Sequence, residues 1–163
     1  MLNHIRTRLD GLFDLDDGVT GETVKTALCL ACRDFDPTLD PYATGVDEDA
    51  AEGGEWLYDV TGLRYDDDGF LTRVALAAEC EWGPQDQIYY DFEKLLLVRA
   101  DLRVMVFDGS RQPGYAELFR VFAQYIGRCA HTEVGDAWLF AAWTEERFVY
   151  HHLVAFDNQG ALV

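Results

Sequence analysis

The sequence predicts a mixed α/β domain, with one central sheet and helices packed against it in a three-layer arrangement. Three observations carry this expectation. Apolar spacing alternates between helical and strand-like periods along the chain. Two strand-like runs are joined by the turn Asp66-Asp67-Asp68-Gly69. A helical stretch then leads directly into Leu102-Arg103-Val104-Met105-Val106-Phe107, a short apolar run typical of a buried strand, as in a parallel crossover.

The elements follow in order. Val24, Ala27, Leu28, Ala31 and Phe35 recur at helical spacing behind Thr20, a suitable N-cap, with Glu22 in the first turn; the expected helix spans 20–34. Residues 36–54 are acidic, contain Pro37, Pro41 and Gly53-Gly54, and show no period, so they read as a long surface loop. Strands are expected over 55–65 and 70–82, the second stopped by Gly83-Pro84. Ile88, Phe92, Leu95 and Leu96 share one side of a helix over 86–101, followed by the 102–107 strand. Pro113-Gly114 opens a helix with the stripe Tyr115, Leu118, Phe119, Phe122 and Ile126, ending near Gly127. Runs 137–143 and 148–156 form a last hairpin around Glu145-Glu146. The expectation is one domain over 1–163, with a core at 20–108 and a helix and strand-pair extension at 114–157.

Composition narrows the function classes. The chain has 163 residues, 49% hydrophobic, and a formal charge of -17. Residues 1–68 hold 17 acids against 5 bases, and residues 69–163 hold 13 against 8. This balance disfavours sequence-independent nucleic-acid binding, whose affinity comes from Lys and Arg neutralising phosphates, and it repels anionic membranes. A local basic groove would have to come from Arg99, Arg103, Arg111, Arg120 or Arg128. Absence of a signal-like or membrane-length apolar stretch leads to the expectation of a cytoplasmic protein with reduced cysteines and no membrane partner.

The stretch Ala77-Ala78-Glu79-Cys80-Glu81-Trp82 places two carboxylates at i and i+2, on one face of a strand and roughly 6.5 to 7 Å apart. Asp59, in the preceding strand-like run, joins them only in one hairpin register. A two-residue loop, Asp68-Gly69, pairs Asp59 with Ala78 and sends Glu79 to the other face. A three-residue loop, Asp67-Asp68-Gly69 with Gly69 left-handed, pairs Asp66 with Phe70 and Asp59 with Ala77, leaving Asp59 and Glu79 as diagonal neighbours. The sequence permits both.

The element order, with Asp59 in one strand and Glu79-x-Glu81 at the end of the next, resembles the PD-(D/E)XK nuclease superfamily and its restriction-endonuclease-like fold over residues 20–108. Glu81 stands where that motif usually has Lys. The resemblance implies Mg²⁺, or Mn²⁺, held by Asp59, Glu79, Glu81 and the backbone carbonyl of Cys80, hydrolysing phosphodiester bonds. Glu81 would serve as ligand or general base, and Lys94 would supply the missing cation from the following helix; the plainer reading of Lys94 is a solvated surface lysine. The competing class is a non-catalytic acidic interaction protein on the same scaffold, an immunity or inhibitor protein or a mimic of nucleic-acid charge, with a protein partner.

Other motifs carry less. Cys29-Leu30-Ala31-Cys32 has CxxC spacing but sits within a helix, and a zinc site would need Cys129 and His131 as well. Ordinary packing accounts for these cysteines and for Cys80. His151 and His152 leave opposite faces of a strand.

Overall fold

The computed structural model describes residues 1–14, 18–112 and 114–155. Its helices are α1 (Leu2–Asp10), α2 (Gly21–Phe35), α3 (Gln85–Leu95) and α4 (Tyr115–Arg128), with a short 3-10 turn at Gly11–Asp14. Its strands are β1 (Asp40–Ala43), β2 (Val60–Tyr65), β3 (Leu71–Glu81), β4 (Leu102–Asp108), β5 (Ala137–Trp143) and β6 (Phe148–Val154). All six form one sheet in sequential order. The β3–β4 and β4–β5 pairs are parallel, and the other three are antiparallel. The mixed α/β class, with a single central sheet, is therefore as the sequence predicts.

Apolar periodicity sorts the helices onto the two sheet faces. Val24, Ala27, Leu28 and Ala31 of α2 join Ile5 and Leu9 of α1 over Val60, Leu76, Ala78, Val104 and Leu139. Ile88, Phe92 and Leu95 of α3 join Leu118, Phe122 and Ile126 of α4 over Ala77, Met105, Phe107 and Phe140. Thr20 caps α2 reciprocally: its hydroxyl accepts from the Thr23 N–H at 3.2 Å, and the Thr23 hydroxyl accepts from the Thr20 N–H at 2.9 Å.

Several boundaries differ from the sequence expectation, each for a local reason. Within the expected 36–54 loop, Asp40–Ala43 pairs with β2 as a four-residue edge strand, a place where Pro41 is tolerated. The expected 55–65 strand begins only at Val60, because Leu57 adopts a left-handed φ of 69° and bends the chain. The expected 86–101 helix stops at Leu95; beyond it, the Val98 and Ala100 carbonyls accept from the Arg103 guanidinium instead of extending a helical ladder. The N-terminal helix α1 was not expected at all, since its apolar stripe is short. Pro113 and residues 156–157 of the expected C-terminal elements lie outside the described residues.

Candidate functional site

The β2–β3 turn has the three-residue form. Gly69 is left-handed at φ 82°, the Asp66 N–H donates to the Phe70 carbonyl at 3.0 Å, and the Asp66 carboxylate accepts from the Asp68 and Phe70 N–H groups. The pairing then drifts. β3 carries an extra residue at Thr72 and another at Ala75, so the register moves from Tyr65↔Leu71, through Leu63↔Val74, to Val60↔Ala78.

Two one-residue slips restore the parity that one slip would have reversed. Ala77 and Ala78 pair with Thr61 and Val60, so the expected pairings of Asp59 with Ala77, or with Ala78, are both superseded, and the ladder ends one residue short of Asp59. The bulge also moves Ala75 into the α2-side core, while Ala77 remains under α3. Asp59 itself lies just outside β2, where its carboxylate accepts from the Cys80 N–H at 2.8 Å.

Glu79 is therefore directed under α3. It is 1% exposed, and the Lys94 ammonium stands 2.6 Å from its Oε1. The approach falls outside hydrogen-bonding angles, so this buried oxygen has no directed hydrogen bond. Burial pushes the Glu79 carboxyl up to about 8, with Asp59 adding to the rise and Lys94 opposing it. Partial burial works against the Lys94 charge, but pairing with Glu79 and Asp91 raises its pKa above the ordinary value.

Asp91 was missed in the sequence reading. It lies one turn before Lys94 on α3 and contacts that ammonium at 3.2 Å. The missed signal is the i,i+3 spacing of Asp91 and Lys94. Asp91 is also a neighbour of Glu81: burial raises the Glu81 carboxyl, the Gly83 N–H opposes that rise, and the nearby Asp91 carboxylate reinforces it. Tyr58 is a second neighbour that sequence reading passed over, its hydroxyl pKa raised by burial and by Glu79.

Asp59, Glu79, Glu81 and Lys94 are thus brought into one neighbourhood, and Lys94 is a partnered lysine rather than a freely solvated one. The donor set is oxygen-only, the kind a hard divalent cation takes, but Glu79 Oε1 already faces the Lys94 ammonium at 2.6 Å. As the side chains stand, no group of three or more His, Cys, Asp or Glu among the described residues is arranged to hold an ion. Loading the site would require carboxylate rotation and withdrawal of Lys94 from Glu79.

The expected basic groove is overturned at Arg103. This side chain is 2% exposed, pairs with Asp136 at 3.2 Å, and lies over the Trp138 ring at 5.0 Å. Its strand position turns it into the α3–α4 layer. Arg99, Arg111 and Arg120 pair with Glu133, Asp108 and Glu117. Across the chain, at least ten of the thirteen Lys and Arg stand beside a carboxylate, leaving little free positive surface.

Elsewhere, Cys29 and Cys32 are buried, reduced thiols of α2, and burial pushes the Cys29 thiol up to about 12. His151 stacks on Phe119 and Phe140. A cavity of about 810 Å³ lies between α1 and α2, floored by Leu12, Ala27 and Leu30; none of its lining residues belongs to the acid–lysine cluster. No helix among the described residues is long and apolar enough to cross a membrane. Comparisons with family models, with curated proteins and with solved structures return no match to this chain.

Proposed function

We propose that the chain is a divergent, metal-dependent phosphodiesterase of the nuclease type, working at the acid–lysine cluster under α3. The observation that carries this reading is the 2.6 Å approach of Lys94 to a buried Glu79 beside Asp59 and Glu81. A buried carboxylate needs a partner or an ion, and a lysine delivered from the next helix supplies the charge that Glu81 cannot. The likeness to the PD-(D/E)XK pattern supports the same assignment.

Asp59, Glu79, Glu81 and the Cys80 carbonyl would hold Mg²⁺ or Mn²⁺. Once bound, the ion would stabilise charge on a phosphodiester and lower the pKa of water. Lys94, freed from Glu79, would orient the attacking water. Glu81, where it is not a ligand, would take the water proton; its raised pKa suits a general base. The water oxygen bonds to phosphorus, one P–O ester bond breaks, and the departing oxygen takes a proton from solvent.

The test is hydrolysis of labelled DNA and RNA in Mg²⁺, compared with the same reaction in a chelator. Glu79→Gln and Lys94→Met should each lower the metal-dependent rate by about a hundredfold or more. Metal-independent hydrolysis, or rates unchanged in both variants, would contradict the assignment.

A second reading is favoured by the ion-paired arginines. With a charge of -17 and at least ten cations neutralised, the surface suits a non-catalytic acidic module binding a basic protein partner. Salt-sensitive binding of a basic protein, with no hydrolysis under any metal, would select it.

A further inference from the structure

We infer that the proposed hydrolytic site takes unpaired nucleic acid, a single strand or a frayed end, with a base stacked on Tyr90. This rests on the hydrolytic reading above and names its substrate class. Tyr90 is 68% exposed, and the Lys94 ammonium lies 6.0 Å from its ring centroid. The same ammonium is 2.6 Å from Glu79, so the open ring borders the proposed reaction centre.

Spacing places Tyr90, Lys94 and Leu97 along one side of α3 and its C-terminal turn, and Leu97 is also exposed. On the β2 side, Leu57 projects 74% exposed from its left-handed bend, two residues before Asp59. Tyr90 makes no aromatic pairing among the described residues. Its neighbour Tyr89, by contrast, is occupied against Phe122 and Tyr125.

Both forms of nucleic acid draw affinity from phosphate contacts, but only unpaired bases can add to it by stacking on an aromatic ring. A duplex is gripped chiefly through phosphates, and that requires free Lys and Arg. Here Arg99, Arg103, Arg111 and Arg120 are already paired. Stacking needs no positive charge, and it is open only to bases that are not enclosed in a duplex.

The full chain should be titrated, with Ca²⁺ present, against a labelled DNA single strand of about 12 nucleotides, its RNA counterpart and the matching DNA duplex. The expected result is binding of one or both single strands at least about tenfold tighter than the duplex, weakened about tenfold by Tyr90→Ala and retained in Tyr90→Phe. The DNA and RNA arms identify the sugar, and either satisfies the inference. Equal or tighter duplex binding, or unchanged single-strand binding in Tyr90→Ala, overturns it. In that case, Mg²⁺-dependent duplex hydrolysis that is lost in Glu79→Gln leaves the hydrolytic reading standing. Binding to none of the three, with no hydrolysis, overturns both.

Discussion

Lys94 reaches from α3 to within 2.6 Å of the buried Glu79 on β3, and Asp91 holds the same ammonium from the other side at 3.2 Å. The lysine thus stands between two carboxylates that burial would otherwise leave unfavourable. Without a bound ion, this arrangement keeps Glu79 compatible with the interior. The proposed function asks the same lysine to yield its place beside Glu79 when an ion is bound.

The protonation of Glu79 gives the first prediction. Its folded value of about 8 lies above the ordinary 4.5, so the folded state holds a proton that the unfolded state releases between those limits. The associated stability is fully present below pH 4.5 and is lost as pH rises through about 8. In chelator, Glu79→Gln should therefore flatten a fall in stability on the order of 3 kcal/mol between pH 5 and pH 8.5. Parallel melting-temperature profiles for wild type and variant would contradict the assignment of a raised pKa.

Arg103 supports a second prediction. Its guanidinium donates to the Val98 and Ala100 carbonyls, pairs with Asp136 and covers Trp138, all from a buried position. Arg103→Met should cost about 3 to 5 kcal/mol in chemical denaturation, because Asp136 and two carbonyls lose their donor. Adding Asp136→Leu should recover part of that loss. A cost below about 1 kcal/mol would return Arg103 to the surface role first expected of it.

The hairpin turn supports a third. A Cβ at Gly69 would meet no atom within 4 Å, so only its φ of 82° opposes a side chain. Gly69→Ala should destabilise by about 1 kcal/mol, while Gly69→Asn should cost less, since Asn tolerates the left-handed region. Equal stability of all three would mean that the turn is not the three-residue form.

How much of this could be read in advance depends on the range of the interactions involved. The helix behind Thr20, the hairpin expected over 137–143 and 148–156, and the parallel crossover through α3 are written in local apolar periods and caps, and the structure has each of them, with the last strand described over 148–154. The edge strand Asp40–Ala43 is too short to show a period and forms only because β2 offers it a partner. Likewise, the register that carries Glu79 past the end of β2 depends on two bulges, at Thr72 and Ala75, that turn chemistry does not encode. Sequence reading found the right loop but a different register. Asp91 escaped because an acid three residues before a lysine is ordinary on an exposed helix, and only the fold turns that pair toward Glu79. Arg103 escaped for the opposite reason: a charge inside an apolar strand looks solvated until Asp136 and Trp138 close over it.

The proposed binding of a divalent cation by Asp59, Glu79 and Glu81 is open to a thermal-shift titration of the full chain with Mg²⁺ and Mn²⁺ at constant ionic strength. An ion that binds only the folded state should stabilise it by about 2.7 kcal/mol at a hundred times its Kd. A saturable rise in melting temperature is expected for wild type, abolished in Glu79→Gln and in Asp59→Asn and preserved in a surface variant such as Glu146→Gln. No rise with either ion at millimolar concentration, or a rise that persists unchanged in both site variants, would contradict it.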